Sequence, residues 1–262
     1  MSKFEDRTQQ LLHQLIQVKS MRMEDIEEKF DVSLSTARRM CLDLENKGKA
    51  FRNIGGIQYI PENIENLDKK YSYVDFSTRC FDEKQAIARR AADLVIDREI
   101  IFISGGTTAA HFSKALAEKI HREKMINLIV VTNAFDNADI LGGETRVIVT
   151  GGNYRTMRRD LAGIICEKTI QKSHFNRSFV GVDGIDIEEG LMTFDIDTAK
   201  IDQLVIASSD HSYILTDHTK FKRSSFISYS RIRDNCTIIT DKGILPDVAE
   251  KAAGCGINLV VV

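Results

Sequence analysis

The sequence predicts two folded parts: an N-terminal winged helix-turn-helix over residues 1–60, and over residues 79–262 an α/β domain with a mostly parallel sheet covered by helices on both faces. Three observations lead there. Apolar positions recur at helical spacing as far as Gly48 and then form two short runs around a Gly-Gly pair, the pattern of helices followed by a hairpin. From about residue 80, short apolar β-branched runs are separated by helical stretches, which implies strands buried on both faces. Between the two, residues 61–78 are polar and charged with isolated aromatics at Tyr71, Tyr73 and Phe76, and read as a linker.

Leu11, Leu12, Leu15 and Ile16 set the stripe of a first helix, and Met23, Ile26 and Phe30 that of a shorter second one. On a wheel of about 100° per residue, Leu34, Ala37, Met40, Cys41 and Leu44 share one arc of a third helix. Ser35, Thr36, Arg38, Arg39, Asp43 and Asn46 take the opposite arc, with Leu42 the one apolar intruder. Ser33 is a suitable N-cap, and Gly48 a suitable terminator. Two short helices joined tightly, the second with adjacent arginines in its first half, fit the plan in which a recognition helix meets base edges. Ala50 to Asn53 and Ile57 to Ile60 around Gly55 and Gly56 form the expected wing.

In the second part, helical patterns over Glu83–Ile96, Ala109–Ile120, Asp160–Lys172 and Ala199–Ser208 interleave with strand-like runs. The runs are Ile100–Ile103, Leu128–Val131, Val147–Val149, Phe179–Val182 and Tyr213–Leu215, with Leu259–Val262 as one further strand.

The 262 residues hold 36 basic and 38 acidic side chains, a net charge of -2 that argues against a generally polybasic nucleic-acid binder. Locally the balance differs: residues 35–60 carry Arg38, Arg39, Lys47, Lys49 and Arg52 against Asp43 and Glu45. Positive charge thus gathers on the proposed reading helix and wing, where phosphates and guanine edges require it. Ser35, Thr36, Arg38, Arg39, Arg52, Gly55 and Gly56 are the expected DNA-binding residues. Five scattered cysteines without a CxxC pair suit a reducing compartment and exclude the usual zinc spacings. The six histidines show no metal-ligand spacing, so neither a metal nor a cofactor is expected. With a charged N-terminus and no run approaching the roughly 18 apolar residues of a span, a cytoplasmic protein without membrane association is expected.

Polar residues gather just after the strand-like runs. Ser104, Gly105, Gly106, Thr107 and Thr108 lead from a strand into a helix, exposing backbone N–H groups and hydroxyls suited to a phosphate or carboxylate. Thr132 with Asn133, Gly151 with Gly152, Asp183 with Gly184, and Asp217 with Lys220 follow the other strands. Ligands of α/β sheets sit outside the carboxyl ends of strands, so these loops point at one crevice. For Asp183 and Asp217 plain loop capping competes with ligand binding. Arg155, Arg158 and Arg159 form a basic cluster expected to face water. With no Gly-Lys-Ser/Thr after the glycines and no GxGxxG, ATP and dinucleotides are disfavoured.

Taken together, the chain resembles DeoR-type transcriptional regulators over nearly its whole length. The likeness rests on Arg7, Leu11, Leu15, Ser33, Thr36, Ala37, Arg38, Arg39, Arg52, Gly55 and Gly56. It continues through Glu83, Lys84, Ile87, Ala88, Ala91 and Ala92, then Gly106–Thr108, Val131–Asn133, Gly151 and Gly152. It ends with Gly181, Asp183–Asp186, Asp217, Lys220 and Phe221. The resemblance implies a winged helix on double-stranded operator DNA and a sensor similar in fold to sugar-phosphate isomerases. It further implies repression of carbohydrate or polyol genes, relieved when a phosphorylated sugar or polyol binds. A homo-oligomer is expected for a symmetric site.

There are departures from the family pattern. Met40 replaces a usual Asp, and Ile54 a usual His. Ser104 and Gly105 replace Asp-Ser, and Asp202 stands where a Lys is usual in the helix after Asp195, with Lys200 two positions earlier. Two alternatives therefore stay open. One is a phosphosugar isomerase or deaminase with Asp183 or Asp186 as proton carrier and Lys220 as phosphate clamp. The other is a constitutive DNA binder whose sensor pocket is vestigial.

Overall fold

The computed structural model describes residues 3–53, 56–60, 73–221, 225 and 227–262. Helix α1 (Lys3–Val18), α2 (Met23–Phe30) and α3 (Leu34–Asn46) pack around Leu11, Leu15, Ile26, Ala37, Met40, Cys41 and Leu44, all buried. The predicted apolar arc of α3 is thus the core arc, except that Leu34 lies at the exposed first turn. Ser33 caps α3 as expected: its Oγ accepts the Thr36 N–H at 3.4 Å. Strands β1 (Ser20–Arg22), β2 (Ala50–Asn53) and β3 (Gly56–Tyr59) form an antiparallel sheet in the order β1-β3-β2. Gly56 lies against β1 so closely that a Cβ there would sit 2.3 Å from the Met21 carbonyl oxygen, so a side chain is excluded. The expected wing tip at Ile54 and Gly55 lies outside the described residues, as do residues 61–72 of the expected linker. Residues 73–78 of that linker are a short helix, α4 (Tyr73–Thr78).

The C-terminal part is built on α5 (Phe81–Asp93), β4 (Ile100–Ile103), α6 (Thr107–Glu123), β5 (Ile129–Thr132), α7 (Phe135–Leu141) and β6 (Arg146–Val149). A hairpin, β7 (Asn153–Arg155) and β8 (Asp160–Ala162), precedes α8 (Ile164–Gln171), β9 (Phe175–Gly181), β10 (Gly184–Asp186), β11 (Gly190–Thr193) and α9 (Ile196–Ala207). The chain closes with β12 (Ser209–Leu215), a 3-10 turn (His218–Lys220), β13 (Ile227–Ser230), β14 (Cys236–Thr240), α10 (Pro246–Gly254) and β15 (Asn258–Val261). Seven strands form a parallel sheet in the order β15-β14-β12-β9-β4-β5-β6.

Neighbouring residues on these strands point to opposite faces, and both faces are covered. Ile101, Ile103, Val130, Phe179, Leu215 and Ile239 pack with Ile87, Ala88, Phe112 and Leu116 of α5 and α6. Phe102, Val131, Val180, Ile214 and Ile238 pack with Cys166, Ile170, Ala199 and Val205 of α8 and α9. That is why the strands read as unbroken apolar runs. The helix expected over 160–172 is corrected: residues 160–162 are strand β8, and the helix begins at Ile164. Asp160 pairs with Arg155 across the β7–β8 hairpin, and Arg155 binds both its carboxylate oxygens at 2.8 and 2.7 Å, a hairpin contact that overrides helical spacing. A three-stranded sheet, β10-β11-β13, stands apart from the main one and packs with α9.

Strand order reverses between β4 and β9: the chain leaves β4 toward β5 and β6 and returns through β9 toward the other edge. Such a switch point separates the loops after two adjacent strands and leaves a crevice at their carboxyl ends.

Candidate ligand cavity and DNA-reading surface

A cavity occupies this crevice, between the turn after β4 and the turn after β9. The first turn is Ser104–Gly106. Ser104 ties it across the switch point, donating its N–H to Phe179 O at 3.0 Å and accepting the Gly181 N–H on Oγ at 3.2 Å. From below, Asn137 donates to Ser104 O at 2.9 Å and to Thr132 Oγ1 at 3.1 Å, and Ser113 donates to Asn137 Oδ1 at 3.0 Å. Gly106 is the N-cap of α6 at φ +111°, a conformation L side chains rarely adopt. The first turn of a 17-residue helix therefore faces the cavity with unpaired backbone N–H groups and the Thr107 and Thr108 hydroxyls beside them, an arrangement that favours an anion.

Two lysines stand at the same end. Lys84 is 2% exposed, and its Nζ donates to Phe76 O at 2.5 Å; burial lowers its pKa, with Asp217 opposing. Lys220 Nζ lies 4.7 Å from the Phe76 ring centroid. Asp217 is not in the wall. It caps the 3-10 turn that carries Lys220, accepting the Thr219 N–H at 3.0 Å, so here the capping reading describes the geometry.

Asp183, Thr193, Arg158, Asp160 and Asp202 also line the cavity, Asp160 lying against Gly105 of the phosphate turn. Asp183 Oδ2 accepts from Thr193 Oγ1 at 2.7 Å and from the Phe194 N–H at 3.3 Å. Arg155 is held by Asp160, Asp195 and Thr198 Oγ1. Burial raises the Asp195 carboxyl, but Arg155 and Arg158 outweigh it and hold its pKa down at about 2. The expectation that the three arginines face water holds for Arg159, which is exposed, and is corrected for the other two. Arg155 and Arg158 are largely buried among carboxylates, and Arg159 pairs with Asp136 at 2.6 Å.

Of the ten expected ligand residues, Gly105, Gly106, Thr107, Thr108, Asn133, Asp183 and Lys220 are brought together in the wall. Gly151 and Gly152 are not; both have positive φ, and they turn the chain against Ile165 and Cys166 of α8. Lys84, Arg158, Asp160 and Asp202 were not among the expected wall residues. Lys84 and Asp202 could have been found, since each belongs to the quoted family pattern or departs from it, whereas no sequence signal marks Arg158 or Asp160.

In the N-terminal part, Ser35, Arg38 and Arg39 are exposed on α3 and Thr36 is half-buried. Arg39 lies over the Phe4 ring at 5.1 Å, and Arg52 Nε pairs with Glu45 at 2.7 Å. Arg38 and Arg52 line a groove that also includes Gln203 of α9.

The fold and these two sites define a winged-helix DNA-binding regulator joined to a sensor domain. The family profile described as "DeoR-like helix-turn-helix domain" matches residues 7–63, and "DeoR C terminal sensor domain" matches residues 79–242. The chain belongs to the DeoR family of transcriptional regulators. It is 27% identical over 257 residues to a "Putative aga operon transcriptional repressor" of Escherichia coli O157:H7, covering 98% of this chain and 93% of that protein. It is 30% identical over 231 residues to the "Lactose phosphotransferase system repressor" of Staphylococcus epidermidis, covering 86% and 87%. It is 26% identical over 239 residues to the "HTH-type transcriptional regulator GlpR" of Haloferax volcanii, covering 91% and 90%. Among solved structures, ribose 5-phosphate isomerase A of Methanocaldococcus jannaschii aligns with a TM-score of 0.41 at 18% identity, over 53% of this chain and 54% of that one. Among the described residues no helix is long and apolar enough to cross a membrane.

Proposed function

We propose that the chain represses genes of carbohydrate or polyol use and leaves its operator when a phosphorylated sugar or polyol fills the cavity at the switch point. The observation that carries this is the α6 N-terminus, with Gly105–Thr108 and two lysines, set in the crevice where an α/β sheet takes its ligands. The relatives named as repressors support the direction of control. The isomerase or deaminase alternative draws no support from those relatives. Asp183 and Asp186, its expected proton carriers, each already accept two hydrogen bonds.

The operator is read by the exposed face of α3, through Arg38 and Arg39, with two copies of the chain placing two such helices on a symmetric site. Ligand binding favours an arrangement of copies whose helices no longer match the half-site spacing, a shift between populations.

The test is a panel of sugar phosphates against the wild type and the double variant Thr107→Ala, Thr108→Ala. One or more compounds should raise the wild-type melting temperature and weaken operator binding, while the variant responds to none. If no sugar phosphate shifts the wild type, the constitutive reading replaces this one.

A further inference from the structure

Asp202 is the departure in the sensor that the site leaves unexplained. It replaces a family lysine with the opposite charge, is 3% exposed, and its carboxyl has no hydrogen bond or ion pair to any described residue. Arg155 and Arg158 act on it through space, but burial and the charges of Asp160 and Asp183 outweigh them, and Arg155 is hydrogen-bonded to Asp160 and Asp195 instead. Arg158 lies 3.8 Å from Asp183 and 4.0 Å from Asp195 rather than against Asp202. A buried carboxyl without a partner costs stability, so its retention in a cavity wall calls for a group that arrives from outside.

Two buried polar atoms without a hydrogen bond point the same way. Asn133 is 3% exposed and lines the same cavity, and its Oδ1 accepts nothing from the described residues. The Tyr229 hydroxyl, also buried, lacks a partner among the described residues and lies within the electrostatic reach of Asp202 and Asp183. The cavity wall therefore holds two unlike sets of groups. In one, Lys84 and Lys220 accompany Phe76 and the α6 N-terminus, a place for an anion. In the other, Asp202 and Asp183 present acceptors, and the negative field of Asp160 and Asp183 at Asp202 outweighs the opposing Arg155 and Arg158. A hydroxyl would satisfy one acceptor there, whereas an ammonium group supplies three donors and the opposing charge.

Resting on the phosphosugar reading above, we infer that the effector is a phosphorylated amino sugar, its phosphate on the Gly105–Thr108 turn and its amine on Asp202.

Isothermal titration of the full chain with glucosamine 6-phosphate and galactosamine 6-phosphate, against glucose 6-phosphate and galactose 6-phosphate, tests this directly. An amino sugar should bind the wild type at least about tenfold more tightly than its hydroxyl counterpart, about 1.4 kcal/mol. In the near-isosteric Asp202→Asn the preference should fall to about onefold, and in Asp202→Lys it should reverse. Equal binding of amino and hydroxyl sugars by the wild type overturns the inference and leaves the phosphosugar reading standing. Binding of neither kind overturns both. The wild-type comparison alone is decisive even if a variant fails to fold.

Discussion

Gln58 of wing strand β3 accepts a hydrogen bond at 3.1 Å from the backbone N–H of Ser228 on β13, in the sensor. Beside it Phe51, 1% exposed, shares a buried cluster with Ile227 and Tyr229. Strand β13 pairs with β11, whose Thr193 donates to Asp183 in the cavity wall. One small sheet thus connects the wing to the candidate ligand site by packed side chains and hydrogen bonds.

Gln58→Ala should therefore leave operator affinity without effector nearly unchanged. The effector's weakening of that affinity should shrink by about 0.5–2 kcal/mol, roughly two- to thirtyfold. Fluorescence anisotropy with labelled operator at fixed salt reads both quantities, and an unaltered effector response would separate the wing from the coupling. Phe51→Ala at the same junction should cost about 3–5 kcal/mol in a urea titration, as for other buried phenylalanines.

Replacing both Arg38 and Arg39 by Ala should abolish operator retention with the circular dichroism spectrum preserved. The slope of log affinity against log salt should fall by about 0.9 for each phosphate contact removed. Retention equal to wild type at matched salt would move the reading surface elsewhere.

Arg155 compensates two carboxylates, Asp160 and Asp195, whose side chains are 8% and 9% exposed. Arg155→Met should lower stability by about 3–5 kcal/mol at neutral pH, because it leaves buried charge unpaired. The loss should shrink on acidification. The folded Asp195 pKa of about 2 lies below its unfolded value, so the stabilisation it contributes is present above about pH 4 and disappears as pH falls toward 2. A denaturant series from pH 7 to pH 3 checks the sign.

Asp202 titrates in the opposite sense. Burial first, then the charges of Asp160 and Asp183, raise its folded pKa well above the unfolded value. Its cost is thus absent below the unfolded value and grows as pH rises until the folded carboxyl ionises. The stability gap between Asp202→Asn and wild type, without ligand, should widen from pH 4 to pH 8 in favour of the variant. A gap constant with pH would mean that Asp202 is solvated.

A side chain at Gly105 would place its Cβ 3.1 Å from both Cβ and Oδ2 of Asp160. Gly105→Ala should push the phosphate turn away from β8 and weaken sugar-phosphate binding by about tenfold or more, about 1.4 kcal/mol. Calorimetric titration measures it, and wild-type affinity would show that the turn yields without cost.

Local chemistry was enough to reveal much of this protein. The buried arc of α3, the Ser33 cap, the five internal strand runs and the glycine turn before Thr107 were all legible, because each depends on residues within a few positions of one another. Their positions just after strand-like runs marked Asp183 and Lys220, which the structure places in one wall. What tertiary structure alone decided lies in contacts across long separations. Arg155 meets Asp195 forty residues away, and Arg158 lies near Asp183 and Asp195, which draws both arginines out of water. Gly151 and Gly152 proved to shape a turn beside α8, and Asp217 to cap the turn that carries Lys220. Helical periodicity and strand alternation report which face of an element is buried, but not which charge waits on the element it packs against. That pairing sets the polarity of the cavity, and only the assembled sheet brings it into being.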